Sequence, residues 1–332
     1  MAYKIIGSPN PKYLAATDVL IGDMSDINYE FLLFDRPIIL LANKWLRKNF
    51  PDIGIKTDLN NLEFAIERSI ANPKEFSEKR RYWLNKTMYK PDSNSSSRVI
   101  DAILKYSKIS NPFIILIHGN NEVLKTHLDS LYRVIKEKNI EVDYIDFFNS
   151  DLYSNESNLI CISASNSLLK DILYGYRVHI DHGVKGLGTT DLNGLIKQYK
   201  NVNYFPMVDL HVTEGEVSYK KTKIILGPYS DRVIMVGYPK SDTLLDLGKK
   251  KVKISVCKEL GFNPEKILVT YAPAGKYSYP FKQGASLTNK VIEKMYSIGN
   301  KSEYNILIKL KYPKRSFFVR ISNKLKKVCL GR

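Results

Sequence analysis

The sequence predicts an α/β protein with two doubly wound parallel sheets, and three observations carry that expectation. Short runs rich in β-branched and aliphatic residues recur along the whole chain, as in "PIILL" (37–41), "NLICIS" (158–163) and "KILVTY" (266–271). Segments with helical periodicity separate them, the alternation from which parallel sheets are built. At 332 residues the chain is long enough for two domains, each with its own core.

Taken in order, "YKII" (3–6), "VLI" (19–21) and "PIILL" (37–41) read as buried strands, with helical patterns in "PKYLAAT" and "SDINYEFLLF" between them. Residues 60–71 read as an amphipathic helix with Leu62, Ala65, Ile66 and Ile70 on one face, and a charged helix follows over 73–86. "KPDSNSSSRVIDAILKY" (90–106) reads as a polar loop through Ser95 to Ser97 and then a short helix. The pattern restarts over 111–147 with strand, glycine turn, long helix and strand, as a new domain begins. Segments 158–163, 207–221, 232–245 and 266–273 continue the alternation, and a last strand lies at 305–310. No internal repeat is visible.

With 44% hydrophobic and 26% charged residues the chain reads as globular, not disordered or fibrous. No apolar run approaches the ~18 residues that span a bilayer. The start, "MAYKIIGSPN", lacks the pattern of a secretory signal. Cys161, Cys257 and Cys329 show no metal-ligand spacing, so neither disulfides nor zinc are expected, and a reducing cytoplasm is the default. The net charge is +17, and residues 301–332 hold ten Lys or Arg against the single Glu303. Such a patch suits nucleic acid, anionic lipid or a polyanionic substrate, or is a solvated surface; charge alone does not choose.

Three stretches could carry chemistry. In "HIDHGVKGLG" (179–188), His182 follows an apolar run, and Gly183, Gly186 and Gly188 let the backbone turn close to a ligand. A histidine there is a plausible general base, and Lys185 adds a positive charge. The bland reading is a glycine-rich turn with an incidental histidine; His179 on the strand, and "HGNN" (118–121), read as structural. In "VGYPKSDTLL" (236–245), Pro239 ends a strand and puts Lys240 and Asp242 in a loop at the sheet's carboxyl edge. In "DVLIGDMSDINYEFLLFDRPII" (18–39), "GDMSD" turns into a helix whose first amides could hold phosphate oxygens. Ser25 can donate from its hydroxyl as well, and Glu30, five residues on, could hydrogen-bond ribose hydroxyls. Each stretch is singly also what a capped loop in any α/β fold looks like.

Together they resemble the CDP-glycerol glycerophosphotransferases, the teichoic-acid primase and polymerase type. "DHGVKGLG" resembles that family's His-Gly motif, "VGYPKSDTLL" and "TYAPAG" its "GYPRxDxL" and "YAPT". "DVLIGDMSDINYEFLLFDRPII" is similar to its "DVLITDYSSxxxDxLLLDKPII", and "DSNSSSRVIDAI" to its serine and acidic tail. The order is inverted: what ends the family's proteins is residues 1–108 here, and what begins them starts near 112. Either the chain is a tandem fragment, or it is a circular permutation. In a permutation, 1–108 and 256–332 complete one nucleotide-binding domain, the latter supplying its early strands and a basic tail, around an acceptor and catalytic-base domain at 110–255.

The resemblance implies a GT-B architecture of two Rossmann-like domains and transfer of glycerol phosphate, or a related alditol phosphate, from a CDP-linked donor. The acceptor would be a hydroxyl of a teichoic-acid-like or other cell-surface glycopolymer precursor, polyanionic or lipid-linked, with CMP released. It implies His182 as base, Lys185, Ser25 and Lys311 on phosphate, Asp23 and Glu30 on the nucleotide, and Asp242 ordering the loop between domains. It implies no metal, no cofactor and no nucleic-acid partner, and a place in the cytoplasm with peripheral contact to the inner face of the membrane. Three positions depart from the pattern. Lys311 stands for a histidine, Asp26 for a serine and Lys240 for an arginine, which keeps charge but loses the bidentate fork. A nucleotide-sugar glycosyltransferase of the same architecture, or an inactive nucleotide-binding remnant, remains open at this point.

Overall fold

The computed structural model describes residues 3–7, 10–23, 25–42, 44–154, 156–170, 172–181, 207–247, 249–273, 284–301 and 304–309. In chain order the first elements are β1 (Tyr3–Ile6), α1 (Lys12–Ala16), β2 (Val19–Gly22), α2 (Ile27–Phe31), β3 (Ile38–Leu41), α3 (Lys44–Asn49), β4 (Ile55–Thr57), α4 (Leu62–Ala71), α5 (Ser77–Thr87) and α6 (Ser95–Ser107). There follow β5 (Phe113–Ile117), α7 (Glu122–Glu137), β6 (Glu141–Ile145), β7 (Leu159–Ser163), α8 (Asn166–Leu169), β8 (Tyr176–Ile180), β9 (Leu210–Thr213) and α9 (Glu216–Leu226). The last are β10 (Val233–Met235), α10 (Pro239–Asp246), α11 (Lys249–Leu260), β11 (Ile267–Tyr271), α12 (Gly284–Lys301) and β12 (Tyr304–Lys309).

The chain divides into two compact units, Met1–Trp83 with Leu247–Arg332, and Leu84–Asp246. The first holds a six-stranded sheet in the order β1-β12-β11-β2-β3-β4, the second one in the order β10-β9-β8-β7-β5-β6. Every strand pair is parallel. The expected α/β class with two doubly wound parallel sheets is what the chain adopts. Strands from the two ends of the sequence share the first sheet: Val269 is in register with Ile306 on one side and with Val19 on the other.

Parallel strands need both faces covered, which is why their sequences are apolar runs instead of alternations. On one face of the first sheet Val19, Ile21, Ile39, Val269 and Ile306 pack with Leu62, Ala65 and Ile66 of α4 and with Val291, Ile292 and Met295 of α12. On the other, Leu268 and Leu307 meet Tyr13 and Ala16 of α1 and Val256, Cys257 and Leu260 of α11. In the second unit Val99, Ile100 and Ile103 of α6 and Leu124, Leu128 and Leu131 of α7 cover β5, β7, β8 and β9.

Several local expectations are corrected. Residues 25–34 do not form one helix: α2 has five residues, a 3-10 turn over Leu32–Phe34 follows, and Asp35 ends it in the left-handed region at φ 46°. Ser95 to Ser97 are the first turn of α6, not a loop. Lys240 and Asp242 lie in α10, because Pro239 opens that helix, where its missing N–H costs nothing. The short strand β4 and helix α11 were not read from the sequence.

The Asp35 carboxylate ties three side chains of the first unit together. It accepts from Ser77 Oγ at 2.6 Å, Lys74 Nζ at 2.9 Å and Arg80 Nε at 2.9 Å. The Arg80 side chain is 1% exposed, and its Nη2 donates to the carbonyls of Pro73 (2.9 Å) and Asp35 (3.3 Å). Burial pushes the Asp35 carboxyl up, but the hydrogen bonds from Ser77, Lys74 and Arg80 and the charge of Arg80 outweigh it and hold the carboxyl below its ordinary value.

Candidate functional site

In the first sheet the strands to one side of β11 are β12 and β1, and those to the other are β2, β3 and β4. The reversal between β11 and β2 is a topological switch point, and open α/β sheets bind ligands outside the carboxyl ends of the strands at such a point. The segments leaving those two strands are "GDMSD" and "APAG", and the Ala272 N–H donates to the Ile21 carbonyl at 2.9 Å. Two stretches singled out in the sequence, some 250 residues apart, thus begin side by side.

The turn after β2 is braced from within. Asp23 Oδ1 accepts the Ser25 N–H at 3.0 Å, and Asn28 Nδ2 donates to the Asp23 carbonyl at 2.7 Å. Asn28 reaches there because residue 22 is glycine: a Cβ would stand 2.0 Å from Asn28 Oδ1. Asp23 (5% exposed) and Glu30 (7%) are buried, Ser25 is half-buried, and Asp26 is exposed and does not cap α2 with its side chain. The expected phosphate cradle is therefore one short turn in which Asp23 already occupies the Ser25 amide. Sequence reasoning missed two neighbours. Asn28 Oδ1 and the Tyr29 hydroxyl are buried without a hydrogen-bond partner among the described residues, and burial, then the charge of Asp26, raise the Tyr29 pKa. The signal for them was three consecutive polar side chains, Asn28, Tyr29 and Glu30, between the apolar Ile27 and Phe31.

In the second unit the candidate residues are brought together differently from expectation. Asp242, 1% exposed, accepts the backbone N–H of Ser95 at 3.1 Å and of Ser96 at 2.7 Å. It caps α6, whose own N-cap residue Asn94 makes no side-chain cap, and takes two of the orphan donors that every helix start leaves. Arg98 Nε donates to the Val236 carbonyl at 2.9 Å while its Nη1 pairs with Asp92. Gly237 sits at φ 124°, where a Cβ would lie 2.8 Å from Ser95 Oγ. "VGYPKSD" and "DSNSSSR" therefore form one interlocked structure. Lys240 is half-buried on α10. At the end of β8, Asp181 is buried, and His179 and His211, register partners on β8 and β9, stand with ring centroids 5.5 Å apart. His118 Nε2 lies 3.2 Å from Asp146 Oδ1 at the carboxyl ends of β5 and β6.

His182, Gly183, Lys185, Gly186 and Lys311 lie outside the described residues. Among the described residues no group of three or more His, Cys, Asp or Glu is placed to hold a metal ion. No described helix is long and apolar enough to cross a membrane.

Residues 9–105 match the family model described as CDP-glycerol:poly(glycerophosphate) glycerophosphotransferase. The match covers less than a third of the chain. It takes in the β2 turn with Asp23, Ser25 and Glu30, the Asp35 junction and the start of α6. The family is one of transferases, enzymes that by its description act between CDP-glycerol and poly(glycerophosphate). No curated protein matches the chain.

Proposed function

We propose that the protein is a glycerophosphotransferase that takes glycerol phosphate, or a related alditol phosphate, from a CDP-linked donor. The acceptor is a hydroxyl of a polyanionic or lipid-linked cell-surface glycopolymer precursor of the teichoic-acid kind. The observation that carries the reading is the position of the family-matched "GDMSD" turn at the β11/β2 switch point of the first sheet. There Ser25 meets the donor phosphates and Glu30, with Asp23, the nucleoside. Glu30 is buried, so the nucleoside enters by displacing what covers it. His182 takes the acceptor hydroxyl's proton as that oxygen bonds to the β-phosphorus. The bond from that phosphorus to the bridging oxygen breaks, and CMP leaves with the electron pair. Lys185 and Lys311 offset the charge on the phosphoryl oxygens. Gly183 and Gly186 let that turn approach the donor, and the reaction enlists no cofactor. Asp242 acts through α6 as a positioning residue and does not touch the substrate.

The chain is on this reading a circular permutation of the family's order, with residues after 256 completing the nucleotide-binding sheet. The protein works in the cytoplasm, and the basic stretch 301–332 suits both an anionic membrane face and a polyanionic acceptor. The test is CMP release from CDP-glycerol in the presence of a lipid-linked acceptor, with His182→Ala alongside. Release that the substitution abolishes supports the reading. CDP-glycerol binding without turnover indicates an inactive remnant, and UDP release from a UDP-sugar a glycosyltransferase.

A further inference from the structure

Charge is unevenly spread along this basic chain. Residues 141–158 carry five carboxylates, Glu141, Asp143, Asp146, Asp151 and Glu156, and no Lys or Arg. This run leaves β6 and folds against the loop before β8. Phe148 stacks on Tyr153 with ring centroids 5.5 Å apart and meets Tyr174 edge-on at 6.0 Å, and the Tyr174 hydroxyl donates to the Ser150 carbonyl. Each of these three rings has a sequence neighbour turned outward: Phe147 is 64%, Leu152 73% and Leu173 86% exposed. Asp146, Asp151 and Glu156 of the same run are exposed as well. One such apolar side chain is ordinary, but three about a single aromatic cluster, alongside exposed acids, form a patch of the kind that marks an interaction surface.

An anionic lipid face or a polyanionic acceptor is repelled here. The complement is a basic segment bearing large apolar side chains, and the sequence contains one. Residues 314–330 hold six Lys or Arg and no Asp or Glu, with Phe317, Ile321, Leu325 and Val328 among them. We propose that the patch around Phe147, Leu152 and Leu173 docks the basic segment 314–330 of a second copy of this chain. Patch and segment are different parts of one chain, so the contact is heterologous. A pair still presents one free patch and one free segment, and association runs on past the dimer unless a ring closes. The proposal stands independently of the transferase reading.

The test is sedimentation velocity on the full chain over a range of concentrations. Salt at about 0.1 M leaves a screening length of about 10 Å, and about 1 M shortens it to about 3 Å. The expected result is an average mass that climbs with concentration beyond the dimer at low salt and returns to the monomer at high salt. Asp151→Lys with Glu156→Lys, and separately Leu152→Ser with Leu173→Ser, stay monomeric at low salt with unchanged circular dichroism. A labelled peptide of residues 313–332 binds the wild-type chain and not the charge-reversed one. A wild-type monomer at every concentration overturns the proposal. So does association that persists in both variants, or peptide binding indifferent to charge reversal.

Discussion

Replacing Asp35 by alanine strands Arg80. The guanidinium is 1% exposed and keeps only the carbonyls of Asp35 and Pro73 once its carboxylate partner is gone. Breaking a buried pair from one side costs about 3–5 kcal/mol. Asp35 itself is 26% exposed, so water reaches part of the gap, and about 3 kcal/mol is the figure to expect. Both tryptophans, Trp45 and Trp83, belong to the first unit, so tryptophan fluorescence follows the unfolding of that unit. With a slope of about 2 kcal/mol per M urea, the midpoint falls by about 1.5 M. Asp35→Asn retains a side-chain acceptor for Arg80 and tolerates the left-handed backbone at φ 46°, so its midpoint lies between wild type and alanine. The folded Asp35 pKa lies below its unfolded value, so in acid the unfolded state binds the proton more readily. This contribution is present above the unfolded carboxylate pKa of about 3.9 and is lost as pH falls through the lower folded value. The asparagine variant lacks that loss. An alanine midpoint within error of wild type, or alanine and asparagine variants that match, would refute the reasoning.

Other outcomes follow from the same geometry. Asp242→Ala uncaps α6 and leaves two buried N–H groups, costing about 2–4 kcal/mol, with faster hydrogen exchange at Ser95 and Ser96 and a smaller effect for asparagine. Gly237→Ala destabilises the second unit by about 1–3 kcal/mol in thermal melts, and adding Ser95→Gly does not restore it, because the φ of 124° remains. Burial pushes the Cys161 thiol up to about 12, so mass spectrometry after alkylation at pH 8 finds it unmodified until the protein is unfolded.

The strands of both sheets were legible because doubly buried strands are short unbroken apolar runs, as at 19–22, 113–117 and 267–271. The helix α4 was legible because Leu62, Ala65 and Ile66 mark one buried face. β4 was not, having three residues and one lysine, and α11 was hidden because Val256, Cys257 and Leu260 sit in a run dominated by lysine. Helix beginnings were misplaced where the cap comes from far along the chain. Nothing near Ser95 shows that Asp242, far along the chain, supplies the acceptor for its N–H. Of the site, the turn after β2 was readable as a ligand loop. Its adjacency to the end of β11 was not, because only the pairing of strands places Ala272 beside Ile21.

Donor binding at the β11/β2 switch point is tested most directly by a hydrogen-exchange footprint of CDP-glycerol on the full chain. Slower exchange is expected in peptides covering 19–31 and 267–273, the two segments at the β11/β2 switch point, with protection lost in Glu30→Gln. CDP-glycerol that leaves both segments unchanged, or a UDP-sugar that protects them in its place, contradicts it.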